Sequence, residues 1–169
     1  VNYAYKRIQR VIDGNMTRIN VIDPKLLTDQ HLMAEYRELP MVMGSLRRTV
    51  ASRNGWQLSK VPREYKLDSG HVYFFTNKGK WLERRYNALI AELTSRGYNL
   101  DPNRVADFSV FHANGLYHDW TVDAKAVDVN RQRIKERILD KPNWYLYRKQ
   151  RITQLPYFTI LLSPLKAWK

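Results

Sequence analysis

One stretch of the sequence places side chains that can exchange protons close together. His31, Glu35 and Glu38 follow one another at intervals of four and three residues, which puts them on one face of an α-helix. Arg37 lies next to Glu38 at the same level of that helix. Such a row suits general acid–base chemistry. On an amphipathic helix, however, a charged row is most often the solvated face, and composition alone favours that plainer interpretation.

A second region alternates cations with aromatic rings. Arg133 and Arg137 stand four residues apart, one helical turn, and the aromatic residues Trp144, Tyr145 and Tyr147 follow them. Cations neutralise phosphates and flat rings stack on bases, so this segment suits a nucleic acid. The alternative is that Trp144 and Tyr147 fill the core of the domain.

A third cluster comprises His112, Asn114, His118 and Asp119. Its spacing matches no set of metal ligands. The chain has no cysteine, which excludes disulfides, thiol nucleophiles and cysteine-ligated zinc and fits a cytoplasmic protein. We therefore expect a polar surface loop here and no metal or other cofactor.

Three amphipathic helices are predicted to position these side chains. The first spans residues 28–50, with Thr28 as its N-cap and a kink at Pro40, whose ring removes a backbone donor. The second spans 80–96, ahead of Gly97, and the third spans 123–140. Apolar residues recur at helical spacing along the first: Leu32, Tyr36, Leu39, Met43, Leu46 and Val50. Residues 72–75 suit a short strand by composition, but no partner strand is evident, so we expect a buried connector.

The composition fits one folded domain with a polyanionic partner. The 169 residues carry 29 Lys and Arg against 16 acids, a net charge of +13, and 44% of them are apolar. This charge favours a nucleic acid, and the apolar content suffices for a core. No apolar run approaches the about 20 residues that span a bilayer, and nothing suggests self-association, so we expect a monomer without membrane insertion. The expected fold class is an all-α, compact single domain of about three main helices with long connecting loops.

Five stretches of the chain carry a resemblance to a known family. They are MTRIN at 16–20, DQHLMAEYRELP at 29–40, GHVYFF at 70–75, LIAELTSRG at 89–97 and PNWYLY at 142–147. Together they resemble the pyrimidine-dimer DNA glycosylases with abasic-site lyase activity known from phage, the endonuclease V type. The resemblance covers about residues 16–150 and is weakest between 101 and 122.

The resemblance implies an all-α enzyme, free of metal and cofactor, that acts on double-stranded DNA containing pyrimidine dimers or abasic sites. Such an enzyme excises the dimer and then nicks the abasic strand. The family's nucleophile, the α-amine exposed when the initiator methionine is removed, corresponds to Thr17, and its catalytic carboxylate to Glu38. The residues expected to bind DNA are Arg18, His31, Arg37, Arg47, Arg48, Arg133, Arg137, Trp144, Tyr145 and Tyr147.

Physical chemistry supports a terminal amine in this role. An amine attacks a sugar carbon only when it is unprotonated, and an α-amine with a pKa near 7.8 is about 400-fold more available at neutral pH than lysine near 10.4. The resulting imine acidifies the C2′ proton and permits β-elimination. A nearby carboxylate stabilises the cationic transition state and assists the proton transfers.

Thr17 is internal in this sequence, so its nitrogen is an amide that cannot form an imine. Three explanations stay open: translation starts at Met16, with Val1 marking an upstream start; a leader is removed later; or this form is silent or uses a poorer lysine amine. We divide the chain into an N-terminal extension (1–16), absent from the active form on the first two explanations, a glycosylase domain (17–150) and a C-terminal extension (151–169).

A second departure follows Pro40, where the family carries an arginine and this chain has Met41. The resemblance therefore implies one phosphate contact fewer. Arg47 and Arg48, further along the same helix, would offset part of that loss. The alternative function, from another class, is a noncatalytic basic DNA-binding protein that retains the fold but not the free terminus.

Overall fold

The computed structural model describes residues 19–154 and Pro156, and within this part of the chain the fold is built from helices. In chain order they are α1 (Asp29–Glu38), α2 (Met41–Ala51), α3 (His71–Phe74), α4 (Gly79–Ser95), α5 (Ser109–Ala113) and α6 (Ala124–Asp140). Single 3-10 turns occupy Pro24–Leu26, Leu58–Lys60 and Ile152–Gln154. A short antiparallel hairpin pairs β1 (Leu146–Tyr147) with β2 (Gln150–Arg151). The all-α fold class is confirmed.

The first predicted helix is divided in two at Pro40. Thr28 caps α1 as expected, its hydroxyl accepting the His31 amide at 3.3 Å. Helix α1 ends at Glu38 because Pro40 has no amide hydrogen to continue the ladder, and α2 starts at Met41. The predicted kinked single helix is therefore wrong in detail. The apolar stripe survives the break, since Leu32, Tyr36, Leu39, Met43 and Leu46 are all buried.

The other two predicted helices lie where the sequence indicates. Helix α4 ends two residues before Gly97, whose φ of 74° is left-handed and stops the helix. The carboxylate of Asp123 caps α6 by accepting the Ala126 amide at 2.7 Å. Helix α4 packs against α1 in the centre of the core.

The segment around residues 72–75 is helical, neither a strand nor an irregular connector. Its first three residues form most of α3, Phe75 is the C-cap, and Phe74 and Phe75 are buried as expected. Their rings lie edge-on to one another with centroids 5.0 Å apart, and Phe75 stacks on Trp81 at 5.3 Å. Aromatic packing onto α4 selects the helical turn here and overrides the local strand preference.

Within residues 19–154 no helix combines the length and the apolar character that a bilayer crossing would require.

Substitution by alanine should change the free energy of unfolding in opposite directions at two helical glycines. A Cβ on Gly79 would stand 2.6 Å from the Cβ of buried Phe111, whereas a Cβ on Gly44 would meet only the tip of Arg48 at 3.6 Å. We expect Gly79→Ala to lower the free energy of unfolding by about 1–3 kcal/mol through overpacking. Gly44→Ala should raise it by roughly 0.5–1 kcal/mol through helix propensity. Urea denaturation of both variants measures this difference, and a stabilised Gly79→Ala protein would contradict the packing.

Candidate active site

A cleft of about 1060 Å³ opens between α1, α6 and residues 141–145. It brings together most of the site residues that the sequence predicts. These are His31, Arg37, Glu38, Arg133, Arg137, Trp144 and Tyr145. Side chains more than 100 positions apart in the sequence thus share one surface. Thr17 and Arg18 lie outside the described residues, so their predicted roles stay predictions.

Glu38 is the last residue of α1 and lies partly buried in the cleft wall, with exposed Arg37 beside it. The C-terminal end of a helix disfavours negative charge because the macrodipole is negative there. Cations on the opposite wall, Arg133 and Arg137 on α6, offset this effect. A carboxylate that lines the same cleft as several cations can stabilise a positive charge that develops on a ligand.

The α6 wall holds two guanidinium groups close together. Burial, and after it the charge of neighbouring Arg137, lowers the pKa of the Arg133 guanidinium. The buried Nε of Arg133 has no hydrogen-bond acceptor among the described residues, and its carboxylate neighbour Glu136 stands 4.0 Å away. A partly desolvated guanidinium with a second cation beside it is stabilised by an anion, so this wall is suited to phosphate.

The cleft as a whole is cationic once its paired acids are set aside. Asp29 and Glu35 also line it, but each is buried against an arginine of the core. The remaining charged side chains of the lining are Arg37, Glu38, Arg133, Arg137, Asp140 and Lys141. Cations therefore outnumber carboxylates among these remaining side chains, which favours a polyanion.

An aromatic rim closes one side of the cleft. Trp144 is 65% exposed, so the expectation that it fills the core is wrong. Tyr145 stacks on His31, with ring centroids 4.9 Å apart and an interplanar angle of 4°. The side chain of Gln30 fixes this rim, since it donates to the Trp144 carbonyl and accepts the Leu146 amide, both at 2.8 Å.

Tyr147 does not line the cleft. Its hydroxyl donates to the Lys25 carbonyl at 2.8 Å, and its ring lies 4.9 Å from the guanidinium of buried Arg96. The alternative that Tyr147 packs against the core is therefore favoured over direct contact with DNA. Its predicted role in DNA binding stays a prediction, and Tyr147 belongs to the hairpin that directly follows Trp144 and Tyr145.

The carboxylate of Asp29 holds the turn of that hairpin. Arg148 and Lys149 have φ angles of 49° and 64°, a left-handed conformation that is unfavourable for residues with side chains. Their amides donate to Asp29 at 3.1 and 2.8 Å, and Arg96 and Tyr98 bind the same carboxylate. The strained turn thus persists because a buried acid at the start of α1 stabilises it.

Glu35 is not part of a solvated face. It is 1% exposed, and both its oxygens bind Arg85, Oε1 to Nε at 2.8 Å and Oε2 to Nη2 at 2.9 Å. Asn20 donates to the same carboxylate at 2.9 Å. The sequence holds one signal for this pair, since Arg85 falls among the inward positions of α4, between Leu82 and Leu89. A cation on an apolar face requires a buried counter-charge.

The same network anchors the extended segment 19–22 beneath the cleft. Ile19 donates its amide hydrogen to His71 Nε2, and its carbonyl accepts from the Tyr65 hydroxyl, both at 2.8 Å.

A second set of anchors holds residues 20–22. Asn130 Oδ1 accepts the Val21 amide at 2.8 Å, and Asn130 Nδ2 donates to the Asn20 side chain at 2.8 Å. Arg85 donates to the carbonyl of Ile22 at 2.6 Å. Side chains of several helices and loops, not a neighbouring strand, satisfy this backbone. Asn130, Tyr65 and His71 escaped the sequence-based reasoning.

Several predicted residues lie elsewhere. Arg47 pairs with Asp107 at 2.6 Å, and neither Arg47 nor exposed Arg48 lines the cleft. Met41 is 50% exposed at the start of α2. The loop with His112 and His118 is a polar surface as expected. In residues 19–154 no three His, Asp or Glu side chains come together as a metal site would require.

Removing the charge of Glu35 should destabilise the protein strongly. Glu35→Gln leaves Arg85 fully buried without a counter-charge, so we expect the free energy of unfolding to fall by about 3–5 kcal/mol. Glu64→Gln is the matched control, because the Glu64–Lys125 pair is exposed on both sides, and it should change stability by less than about 1 kcal/mol. Equal losses in denaturant titrations of the two variants would contradict a buried pair.

The chain matches the sequence profile of a known family, described as pyrimidine dimer DNA glycosylase, over residues 16–105. The matched part includes Glu38 and its neighbour Arg37, the buried pair Glu35–Arg85 and the anchored segment 19–22. Helix α6 and residues 141–145, which supply the other side of the cleft, lie beyond it. Because more than half of the chain matches, this protein is a member of the pyrimidine dimer DNA glycosylase family.

Proposed function

We propose that this protein excises ultraviolet-induced pyrimidine dimers and cleaves the resulting abasic strand by imine-mediated β-elimination. The nucleophile is the α-amine of Thr17 once residues 1–16 are absent, and Glu38 is the catalytic carboxylate. One observation carries the proposal: the segment that follows Thr17 is anchored in the floor of the cleft whose wall holds Glu38. Asn20, three residues after Thr17, binds Glu35, which lies one helical turn before Glu38.

The short stretch of chain between Thr17 and Ile19 supports a pairing of the Thr17 amine with Glu38. Ile19 is fixed at both its amide and its carbonyl, and two residues of polypeptide span at most about 7 Å. That length is the farthest that an amine at residue 17 can stand from Ile19, the residue next to Asn20 of the cleft lining. That restriction supplies the proximity that converts an encounter into an intramolecular reaction.

The proposed chemistry needs only the amine, the carboxylate and water. The amine attacks C1′, the glycosidic bond breaks, and the departing base takes its electron pair and a proton. The sugar ring opens as the C1′–O4′ bond breaks and O4′ gains a proton, leaving an imine. Loss of the C2′ proton forms a C2′–C3′ double bond and expels the 3′ phosphate, and water then releases the enzyme. Glu38 stabilises the cationic sugar and moves the protons at O4′ and C2′.

The cations and rings of the cleft support binding of damaged duplex DNA. Arg37, Arg133 and Arg137 stand on its two walls for phosphate contacts. Exposed Trp144 offers a flat face to an unstacked base. Opening a duplex costs a few kcal/mol, and least where a lesion has already disturbed stacking, so this arrangement favours damaged sites.

Borohydride trapping on abasic DNA tests the nucleophile. A chain that begins at Thr17 should form a covalent adduct that peptide mapping assigns to residue 17, because its amine is free and weakly basic. The 169-residue chain should bind the same DNA without an adduct. An adduct on a lysine in both forms would reject Thr17, and binding without any adduct would favour the noncatalytic alternative.

Glu38→Gln tests the carboxylate in the same chain. The variant should bind dimer-containing duplex normally but lose strand cleavage by at least about a hundredfold, the usual contribution of a positioned acid–base group. Glu64→Gln, far from the cleft lining, serves as the control and should cleave at the unmodified rate. Full activity of Glu38→Gln would remove Glu38 from the mechanism.

Salt dependence separates the cleft arginines from those of α2. Each phosphate contact contributes about 0.9 to the slope of log K against log salt concentration. We expect Arg137→Gln to lower the slope by that amount. Arg47→Gln should leave it nearly unchanged, because Arg47 already pairs with Asp107. Fluorescence anisotropy from 50 to 300 mM NaCl, roughly the range where such slopes are linear, measures both, and a lowered slope for Arg47→Gln would restore its predicted role in binding.

A further inference from the structure

The buried imidazole of His71 has a defined tautomer. It is 4% exposed, with Nδ1 at 2.6 Å from the Lys66 carbonyl and Nε2 at 2.8 Å from the Ile19 amide. A carbonyl oxygen only accepts hydrogen bonds and an amide nitrogen only donates them. Nδ1 therefore carries the hydrogen, and Nε2 presents its lone pair to Ile19. The ring is neutral, because a second hydrogen on Nε2 would oppose the amide hydrogen.

The surroundings of the ring favour this neutral form. Tyr65 and Phe75 contact it edge-on at 5.5 and 5.3 Å. Tyr65 is the titratable group in that contact, and its hydroxyl is used by the Ile19 carbonyl. Lys66 and Asp68, on the loop before α3, pair with each other at 3.2 Å at the surface. Both ring nitrogens of His71 thus have backbone partners, and its ring lies among aromatic side chains.

His71 and Tyr65 are the last described anchors before the chain reaches Thr17. The next anchor downstream is Asn20, whose side chain binds Glu35 and Asn130. If the Ile19 contacts were lost, residue 17 would be tethered from Asn20, by three residues and not by two. Its reach would grow from about 7 to about 11 Å, and the volume it could explore would rise roughly threefold.

We propose that His71 is a positioning residue for the glycosylase reaction: as a neutral imidazole it holds the Ile19 amide and thereby sets where the Thr17 amine stands relative to Glu38. The inference rests on the proposed function, since it concerns the same amine. Its role is indirect, as His71 does not line the cleft. If the Ile19 amide is released, the amine is spread over a larger volume. We therefore expect a slower covalent step while DNA binding stays unchanged.

Two substitutions at His71 differ in whether they reach Ile19. The Asn side chain can replace Nδ1 toward Lys66 but is too short to accept from Ile19, whereas the Gln side chain extends to the Nε2 position and remains neutral. In the chain that begins at Thr17, we expect His71→Asn to slow single-turnover trapping of abasic DNA about threefold with an unchanged Kd. His71→Gln should restore the rate to that of the unsubstituted chain. His118→Gln, an exposed histidine outside the cleft lining, is the matched control and should have no effect.

Tyr65→Phe gives a second route to the same contact, should His71→Asn not fold. It removes only the hydroxyl that donates to the Ile19 carbonyl and should slow trapping about threefold at unchanged Kd. Circular dichroism establishes that each variant is folded before its rate is compared. Nitrogen-15 NMR of the full chain should show His71 protonated at Nδ1, and protonation at Nε2 would overturn the proposal.

The outcomes separate this inference from the proposed function. Absence of any adduct at residue 17 in the unsubstituted chain that begins at Thr17 would reject the proposed function and this role with it. A normal adduct in that chain together with normal trapping rates in His71→Asn and Tyr65→Phe would overturn only the positioning role. Equal losses of rate and DNA affinity in His71→Asn and His71→Gln would also overturn it, since they would indicate general structural damage.

Discussion

The buried ion pair between Glu35 and Arg85 is the interaction on which the cleft depends. Both side chains are fully enclosed, and the guanidinium also binds the Ile22 carbonyl while the carboxylate binds Asn20. The pair therefore connects α1, α4 and the segment 19–22 at one point. Charges in an apolar interior are tolerated only when every polar atom is matched. This requirement fixes the register of α1 against α4, and with it the place of Glu38 in the wall.

The cleft combines a rigid floor with a cationic wall and an aromatic rim. The floor is stabilised by buried hydrogen bonds and an ion pair, and on the α6 wall Arg133 is partly desolvated with the charge of Arg137 beside it. That charge repulsion favours a bound anion. The rim is held from the start of α1, since Gln30 binds the Trp144 and Leu146 backbone and Asp29 binds the turn at Arg148 and Lys149. Helix α1 thus supports the floor, wall and rim together.

Sequence reasoning succeeded where local physics dominates. Thr28 and Asp123 cap their helices because a side-chain oxygen next to free amides is a local interaction, and the stripe from Leu32 to Leu46 is buried because helical periodicity is local too. It failed where distant partners decide. Residues 72–75 take a helical turn because the core of α4 receives their rings, and the hairpin turn at Arg148 and Lys149 exists only because Asp29 satisfies its amides.

The sequence by itself determined the fold class, the excess of positive charge, the three long helical segments and a resemblance to a family whose profile the chain then matched. These properties follow from composition, periodicity and short motifs, which need no knowledge of distant contacts. The tertiary structure decided which charges serve which purpose: it buried Glu35 as a structural acid and left Glu38 in the cleft wall, although both lie on the same helix. It also showed that Tyr147 packs inward while Trp144 remains exposed. The physical reason is that the partners of these side chains lie 50 or more positions away in the sequence. Arg85 supplies the counter-charge of Glu35, and the backbone carbonyl of Lys25 accepts the hydroxyl of Tyr147. No local pattern specifies them.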